Sequence, residues 1–182
     1  MYNLKTQRLI LRHWCEEDLE PFAAMNRDPE VMKYFPSILS RQESNSMVER
    51  IQNKFAIQGF GLWAVEEKLS GTFIGCIGLN RPNFQAHFTP AVEVGWRLAR
   101  PFWGKGYATE GAKKAIEYGF QEVNLAEIVS FTAKINKRSI AVMERLGMTH
   151  QSRDDFNHPN LPSGHILEPH LLYRLSHPGQ LH

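Results

Sequence analysis

The segment Leu98-Ala-Arg-Pro-Phe-Trp-Gly-Lys-Gly-Tyr-Ala-Thr-Glu-Gly111 joins a strand to a helix through two glycines, and the remaining chain is ordered around it. Before it, Val92, Val94, Trp96 and Leu98 alternate with Ala91, Glu93, Gly95 and Arg97, the period-two pattern of a strand. After it, the small or apolar residues Ala108, Gly111, Ala112, Ala115, Ile116 and Gly119 form one helical stripe. Glu110 falls on the other face with Lys113 and Lys114, at spacings that meet on a helix surface. The first turn of a helix leaves amide N–H groups without internal partners, and its dipole favours anions. Glycines at 104 and 106 let a phosphate approach that backbone without meeting a Cβ. Such a layout suits an anion site, and equally a tight turn with no ligand; the turn alone does not separate the two. A Walker loop is excluded because Gly106, not Ser or Thr, follows Lys105. A dinucleotide fingerprint is excluded because its third glycine would fall at Thr109.

A second segment separates them. Asn136-Lys-Arg-Ser139-Ile-Ala-Val-Met143-Glu-Arg-Leu-Gly147-Met148 starts on a good N-cap residue and ends on a C-terminal glycine. Together with Val92-Glu-Val-Gly-Trp96 and Trp103-Gly-Lys-Gly-Tyr-Ala-Thr-Glu110, it resembles the GNAT superfamily of acetyl-CoA-dependent N-acyltransferases. The nearest branch is that of the ribosomal-protein N-terminal acetyltransferases (RimJ/RimL-like). The resemblance runs from Thr6-Gln-Arg-Leu-Ile-Leu-Arg12 to Leu171-Leu-Tyr173. It implies an α/β (α+β) GNAT fold with a mixed, mostly antiparallel sheet of roughly six or seven strands, flanked by about four helices. Two parallel strands, over 91–98 and 127–133, are expected to splay into an acyl-CoA cleft.

Bulk composition is ordinary. A single domain over 1–182 is expected, long enough to bury a substantial core. Hydrophobic content of 42% with 22% charged residues fits a globular protein, and the net charge of +2 gives no argument for nucleic acid. Cys15 and Cys76 lack CxxC spacing and are expected as packed free thiols. No apolar run reaches the roughly 20 residues of a membrane span, and Lys5, Arg8 and Arg12 interrupt the N-terminal apolar residues. A cytoplasmic monomer or homodimer, with no membrane partner, is the expectation.

Elsewhere, Leu9–Leu11 reads as a strand, Glu16-Glu-Asp18 as a helix start and Asp28-Pro29 as its end. Ser40-Arg-Gln-Glu43 matches a capping box for a second helix stopping at Gly59. Leu62–Glu66 and Thr72–Leu79 read as a hairpin around Lys68-Leu-Ser-Gly71. Met148–Phe156 and His170–Leu175 read as a closing antiparallel pair, with a loop between them.

From the resemblance, the cofactor would lie on Trp96, Arg97 and Leu98, on the turn through Trp103, Gly104, Lys105, Gly106, Tyr107, Ala108 and Thr109, and beside Asn136 and Ser139. One departure is Pro101, where Arg or Gln is usual three residues before the first glycine; Arg100 offers a neighbouring charge. Lys105 adds charge to the turn or is simply a surface lysine. Asn136 holds cofactor or the adjoining strand end, or only caps its helix.

Glu93 occupies the family's glutamate position and is the expected general base, with a salt bridge to another strand as the alternative. An α-amino group is about 14% neutral at pH 7 and a lysine below roughly 0.1%, so a base matters more for lysine. Met143 stands at the position of the family's acid tyrosine and can do no acid chemistry. Ser139, one turn earlier, is the expected substitute, or else it bonds its own helix. Tyr34 and Phe35 would contact the acceptor or merely cover the core, and His170 would face the acceptor. The spacings of His158, His165 and His170 do not make a metal site, and no metal is expected.

These expectations describe acetyl transfer from acetyl-CoA to a primary amine, small molecule or peptide, in a ternary complex. A non-catalytic acyl-CoA sensor is the alternative, and an interaction protein without CoA binding is a third. The sequence does not name the amine.

Overall fold

A computed structural model describes residues 3–179. The strand–turn–helix at its centre is β5 (Glu93–Leu98) leading into α3 (Tyr107–Gln121). Around it lie β1 (Leu4–Lys5), β2 (Leu9–Arg12), α1 (Leu19–Arg27), α2 (Arg41–Gln58), β3 (Leu62–Glu67) and β4 (Thr72–Asn80). After α3 come β6 (Glu127–Ala133), α4 (Lys137–Arg145), β7 (Thr149–His150), β8 (Phe156–Asn157) and β9 (Pro169–Ser176). The strands order as β1-β2-β3-β4-β5-β6-β9-β7, with β8 also on β9. Every pairing is antiparallel except β5 with β6. That is the expected mixed α/β sheet, larger than the seven strands read from the sequence by β1 and by the division of one expected strand into the two-residue β7 and β8.

Local chemistry explains the boundaries. Ser40 accepts from the Glu43 amide while the Glu43 carboxylate accepts from the Ser40 amide, a reciprocal capping box. The helix it opens stops at Gly59 in a left-handed conformation. The buried stripe of α3 comprises Tyr107, Gly111, Ala112, Ala115, Ile116, Gly119 and Phe120; Ala108 lies at its half-buried edge. Gly111 and Gly119 bring the helix close to the sheet, since an added Cβ would meet Ile77 Cδ1 at 2.5 Å and Ile128 Cδ1 at 2.9 Å. The other face of the sheet is covered by α1 and α2, whose Phe22, Met25, Val48, Ile51 and Phe55 complete the core.

Three expectations are corrected. The strand proposed over 148–156 is broken into β7 and β8 by a 3₁₀ turn at Ser152–Asp154, where Asp154 turns to accept from Arg174. Cys15 is exposed instead of packed, while Cys76 is buried; both are free thiols. Glu110 does not pair with Lys113 or Lys114. It accepts instead from the Arg8 amide and guanidinium and from the Thr6 hydroxyl, because the β1–β2 turn sits against the start of α3. Lys114 pairs with Glu117.

Candidate active site

β5 is hydrogen-bonded to β4 along its length, from Glu93 opposite Asn80 to Leu98 opposite Gly75. Toward β6 the pairing is brief. Glu93 faces Val129, the Val129 amide donates to the Val92 carbonyl, and the Ser130 hydroxyl donates to the Val94 carbonyl. Beyond that point the two parallel strands part, so among the described residues the main chain of Gly95 to Leu98 has no strand partner on that side. A cleft thus opens where Trp96, Arg97 and Leu98 were expected to meet the cofactor. The Leu98 carbonyl is already engaged by the Trp103 indole N–H at 2.7 Å, and Arg138 of α4 lies 4.6 Å over that indole. Trp103 therefore acts as a strut across the cleft's end.

Gly104 and Gly106 both hold left-handed backbone, φ +74° and +81°. A Cβ on Gly106 would also meet Arg8 Nη2 at 3.4 Å. The first intrahelical bond of α3 runs from the Glu110 amide to the Gly106 carbonyl, leaving the amides of Tyr107, Ala108 and Thr109 unused by the helix. The amides of Gly104, Lys105 and Gly106 make no bond among the described residues either. Six consecutive donors at a helix N-terminus form a cradle suited to a diphosphate.

Sequence reasoning missed Arg8. Its guanidinium donates to the Lys105 carbonyl at 2.9 Å, stacks on the Tyr107 ring at 4.5 Å and pairs with Glu110 at 2.6 Å. It braces the turn from behind. Nothing local in Thr6–Arg12 signals this, since the contact spans about a hundred residues of chain. The Tyr107 hydroxyl donates to Glu67, and Lys105 lies over the Phe102 ring.

Glu93 is half-buried at the point where the strands part. Burial pushes its carboxyl up to about 7, against the opposing influence of Asn80 and of the Lys54 ammonium. No ion pair forms to Glu93 among the described residues, so the salt-bridge alternative is not what the fold adopts. Arg97, on the same side of β5, instead donates to Asn26 Oδ1 at 2.7 Å and lies 4.0 Å from the centre of the Phe35 ring. Its side chain thus points to α1 and α2, away from the diphosphate cradle. Phe35 covers Arg97 as well as core, and half-buried Tyr34 lies beside Lys33.

At α4, the Asn136 side chain accepts from the Ser139 amide and donates to Thr132 Oγ1 and Ser139 Oγ, at 2.9 and 3.1 Å. Asn136 is committed to capping and to tying helix to strand. The Ser139 oxygen accepts, which leaves its own proton free to donate; no bond to its own helix carbonyls forms. Met143 is fully buried core. His170 is buried among Phe131, Phe156 and His158, its Nδ1 near the Glu168 carbonyl, and burial lowers its pKa to about 4. It is a neutral ring in an aromatic cluster on the Phe131 side of the sheet.

Comparison with known proteins agrees with this geometry. The acetyltransferase (GNAT) domain family matches residues 8–149. The chain is 33% identical over 178 residues to the FsC-acetyl coenzyme A-N(2)-transacetylase of Aspergillus fumigatus, covering 95% of this chain and 75% of that one. A GNAT-family acetyltransferase structure from Bacillus anthracis superposes with a TM-score of 0.79 at 25% identity, over 96% of this chain and 98% of that one. The ribosomal L7/L12 alpha-N-protein acetyltransferase RimL, solved with coenzyme A, shares the fold at a TM-score of 0.77 and 14% identity, over 96% and 98%. With its parted strands, its glycine cradle and these relatives, the chain belongs to the GNAT acetyltransferase family.

Proposed function

We propose that this protein transfers an acetyl group from acetyl-CoA to a primary amine by direct attack in a ternary complex. The observation that carries the reading is the position of Glu93, a half-buried carboxyl with a pKa near 7 on the last paired residue before β5 and β6 part. Acetyl-CoA supplies the activated acyl group. The unused amides from Gly104 to Thr109 bind its diphosphate, and the free edge of β5 at Trp96 and Arg97 meets the amides of its pantetheine arm. Both glycines hold left-handed backbone that a residue with a Cβ adopts only under strain, which supports the fit.

Glu93 takes the proton from the attacking amine nitrogen as its bond to the acyl carbon forms. When the carbon–sulfur bond breaks, the sulfur keeps the electron pair, and the Ser139 hydroxyl donates toward it. A base with pKa near 7 is half ionised near neutrality, the useful range for this transfer. Cys76 takes no part: burial pushes its thiol up to about 11, so it is a poor nucleophile, and no acyl-cysteine step is needed. Nothing in this scheme calls for a metal.

Free-thiol release from acetyl-CoA with a panel of amines tests the reading, alongside calorimetry of coenzyme A. Turnover of at least one amine is expected. Heat of binding without turnover across peptides, polyamines and small amines would favour the sensor, and no heat at all from well-folded protein would remove the family function.

A further inference from the structure

Positive charge from α2 gathers beside Glu93, far from it in sequence. A cavity of about 230 Å³ lies between α2 and the ends of β3 and β4, lined by Met47, Arg50, Ile51, Lys54, Asn80 and Asn83 among others. Among the described residues, no acidic side chain lines it. Lys54 donates to Asn80 Oδ1 and reaches the Arg81 carbonyl at 3.4 Å, and Asn80 stands opposite Glu93 on the neighbouring strand. The cavity therefore adjoins the proposed base. Arg97 borders it through Met47, whose sulfur lies 3.9 Å from Arg97 Nη1, and the Arg97 Nε is sealed from solvent with no partner.

Elsewhere in the fold the guanidinium groups drawn inward have carboxylates. Arg12 pairs with Asp18 and Glu66, and Arg174 with Glu127 and Asp154. Among the described residues, Arg50, Lys54 and Arg97 pair with none. Lys54 has Glu93 as its nearby counter-charge, and Glu93 loses that charge when it accepts a proton. Lys54 and Arg97 are half-buried and Arg50 is exposed where it lines the cavity; partly desolvated cations without counter-charge are costly, and a bound anion relieves that cost.

We propose that the acceptor is a small amine bearing a carboxylate a few bonds from its nitrogen. Arg50 and Lys54 receive the carboxylate, with the Asn83 side chain at the rim, and the amino group is turned toward Glu93. The inference rests on the acetyl-transfer reading above and names the substrate class of that site. A cavity of this size holds one amino-acid-sized molecule, well below a drug-sized site. Polyamines meet like charge there and are disfavoured.

The test uses the full chain with saturating acetyl-CoA and matched acceptors: β-alanine, β-alanine amide, 1,4-diaminobutane, phosphoethanolamine and a short peptide with an acidic second residue. The acid should exceed its amide and the diamine in kcat/KM by about tenfold or more, the usual worth of a charge-assisted contact. Arg50→Glu should raise KM for the acid by a similar factor, leave KM for acetyl-CoA unchanged and narrow the preference for the acid over its amide. Equal or better use of the amide or diamine overturns the proposal while leaving acetyl transfer intact. So does an Arg50→Glu variant with unaltered preference. Preference for phosphoethanolamine or the peptide overturns the carboxylate or the small-molecule assignment respectively. If no amine turns over, acetyl transfer falls. Calorimetry of β-alanine against its amide on the CoA-loaded protein then decides the anion site by itself: heat from the acid, lost in Arg50→Glu, upholds it, and absence of heat overturns it.

Discussion

On the α3 side of the cleft the site is made of main chain: six amides between Gly104 and Thr109, shaped by two left-handed glycines and braced by Arg8. Facing α2, it is made of side chains, with Lys54 from a helix, Asn80 and Glu93 from neighbouring strands, and Arg97 held by Asn26. Main-chain donors are the same whatever residue carries them, so a cradle of that kind suits a ligand common to a whole family. Side chains drawn from separate elements change independently, and the acceptor side is where relatives of one fold can diverge.

The sharpest way to break that contrast is Glu93→Gln. Loss of the base should lower kcat/KM by about 10²–10⁴, with KM for acetyl-CoA unmoved. In the parent protein, activity should fall as pH drops through about 7, because Glu93 takes up its proton there; the variant's profile should lose that limb. An unchanged profile would dismiss Glu93. The same group predicts a stability effect of definite sign. Folded Glu93 holds its proton up to about pH 7 but, unfolded, only to about 4.5, so the fold loses stability as pH rises between those values. The melting temperature of Glu93→Gln should therefore exceed the parent's at pH 8 and match it at pH 4.

Gly106→Val attacks the other side. A β-branched residue at φ +81° is strained by about 1–2 kcal/mol, and displacing the cradle by an ångström costs roughly a hundredfold in function. Calorimetry should show coenzyme A affinity reduced by about that factor, while acceptor preference stays as it was. Ser139→Ala should cost about tenfold in kcat with little change in either KM, the worth of one hydrogen bond to a developing charge. An unaffected kcat would return Ser139 to its cap.

Smaller again, Glu110→Ala removes the acceptor for Thr6 and Arg8 and should cost about 1–2 kcal/mol, read as a fall of roughly 2–8 °C in Tm. Since Arg8 braces the turn, KM for acetyl-CoA should rise severalfold as well. Cys76→Ala should leave turnover intact; its complete loss in folded protein would reopen an acyl-cysteine route.

Much of this was legible in the chain because it is local. The capping box at Ser40 and the stop at Gly59 are decided within one helix, and the glycines at 104 and 106 act on their own backbone. The period of Val92 to Leu98 places Glu93 and Arg97 on one side of a strand, since side-chain direction alternates by geometry alone. What the chain did not disclose are contacts between distant segments. Glu110 looked like a partner for Lys113 until the β1–β2 turn arrived beside it, and Arg8 reaches the Lys105 carbonyl from the far end of the chain.

The sequence by itself determined the order of strand, glycine turn and helix, and with it a run of unused amides at the helix start, because amide geometry follows from backbone conformation. Only the tertiary structure decided that β5 and β6 part after Glu93, that burial lifts this carboxyl toward neutrality, and that Lys54, with Arg50 on the same helix, comes to lie beside it. Desolvation and Coulomb fields depend on distance in space, and separation along the chain does not encode them.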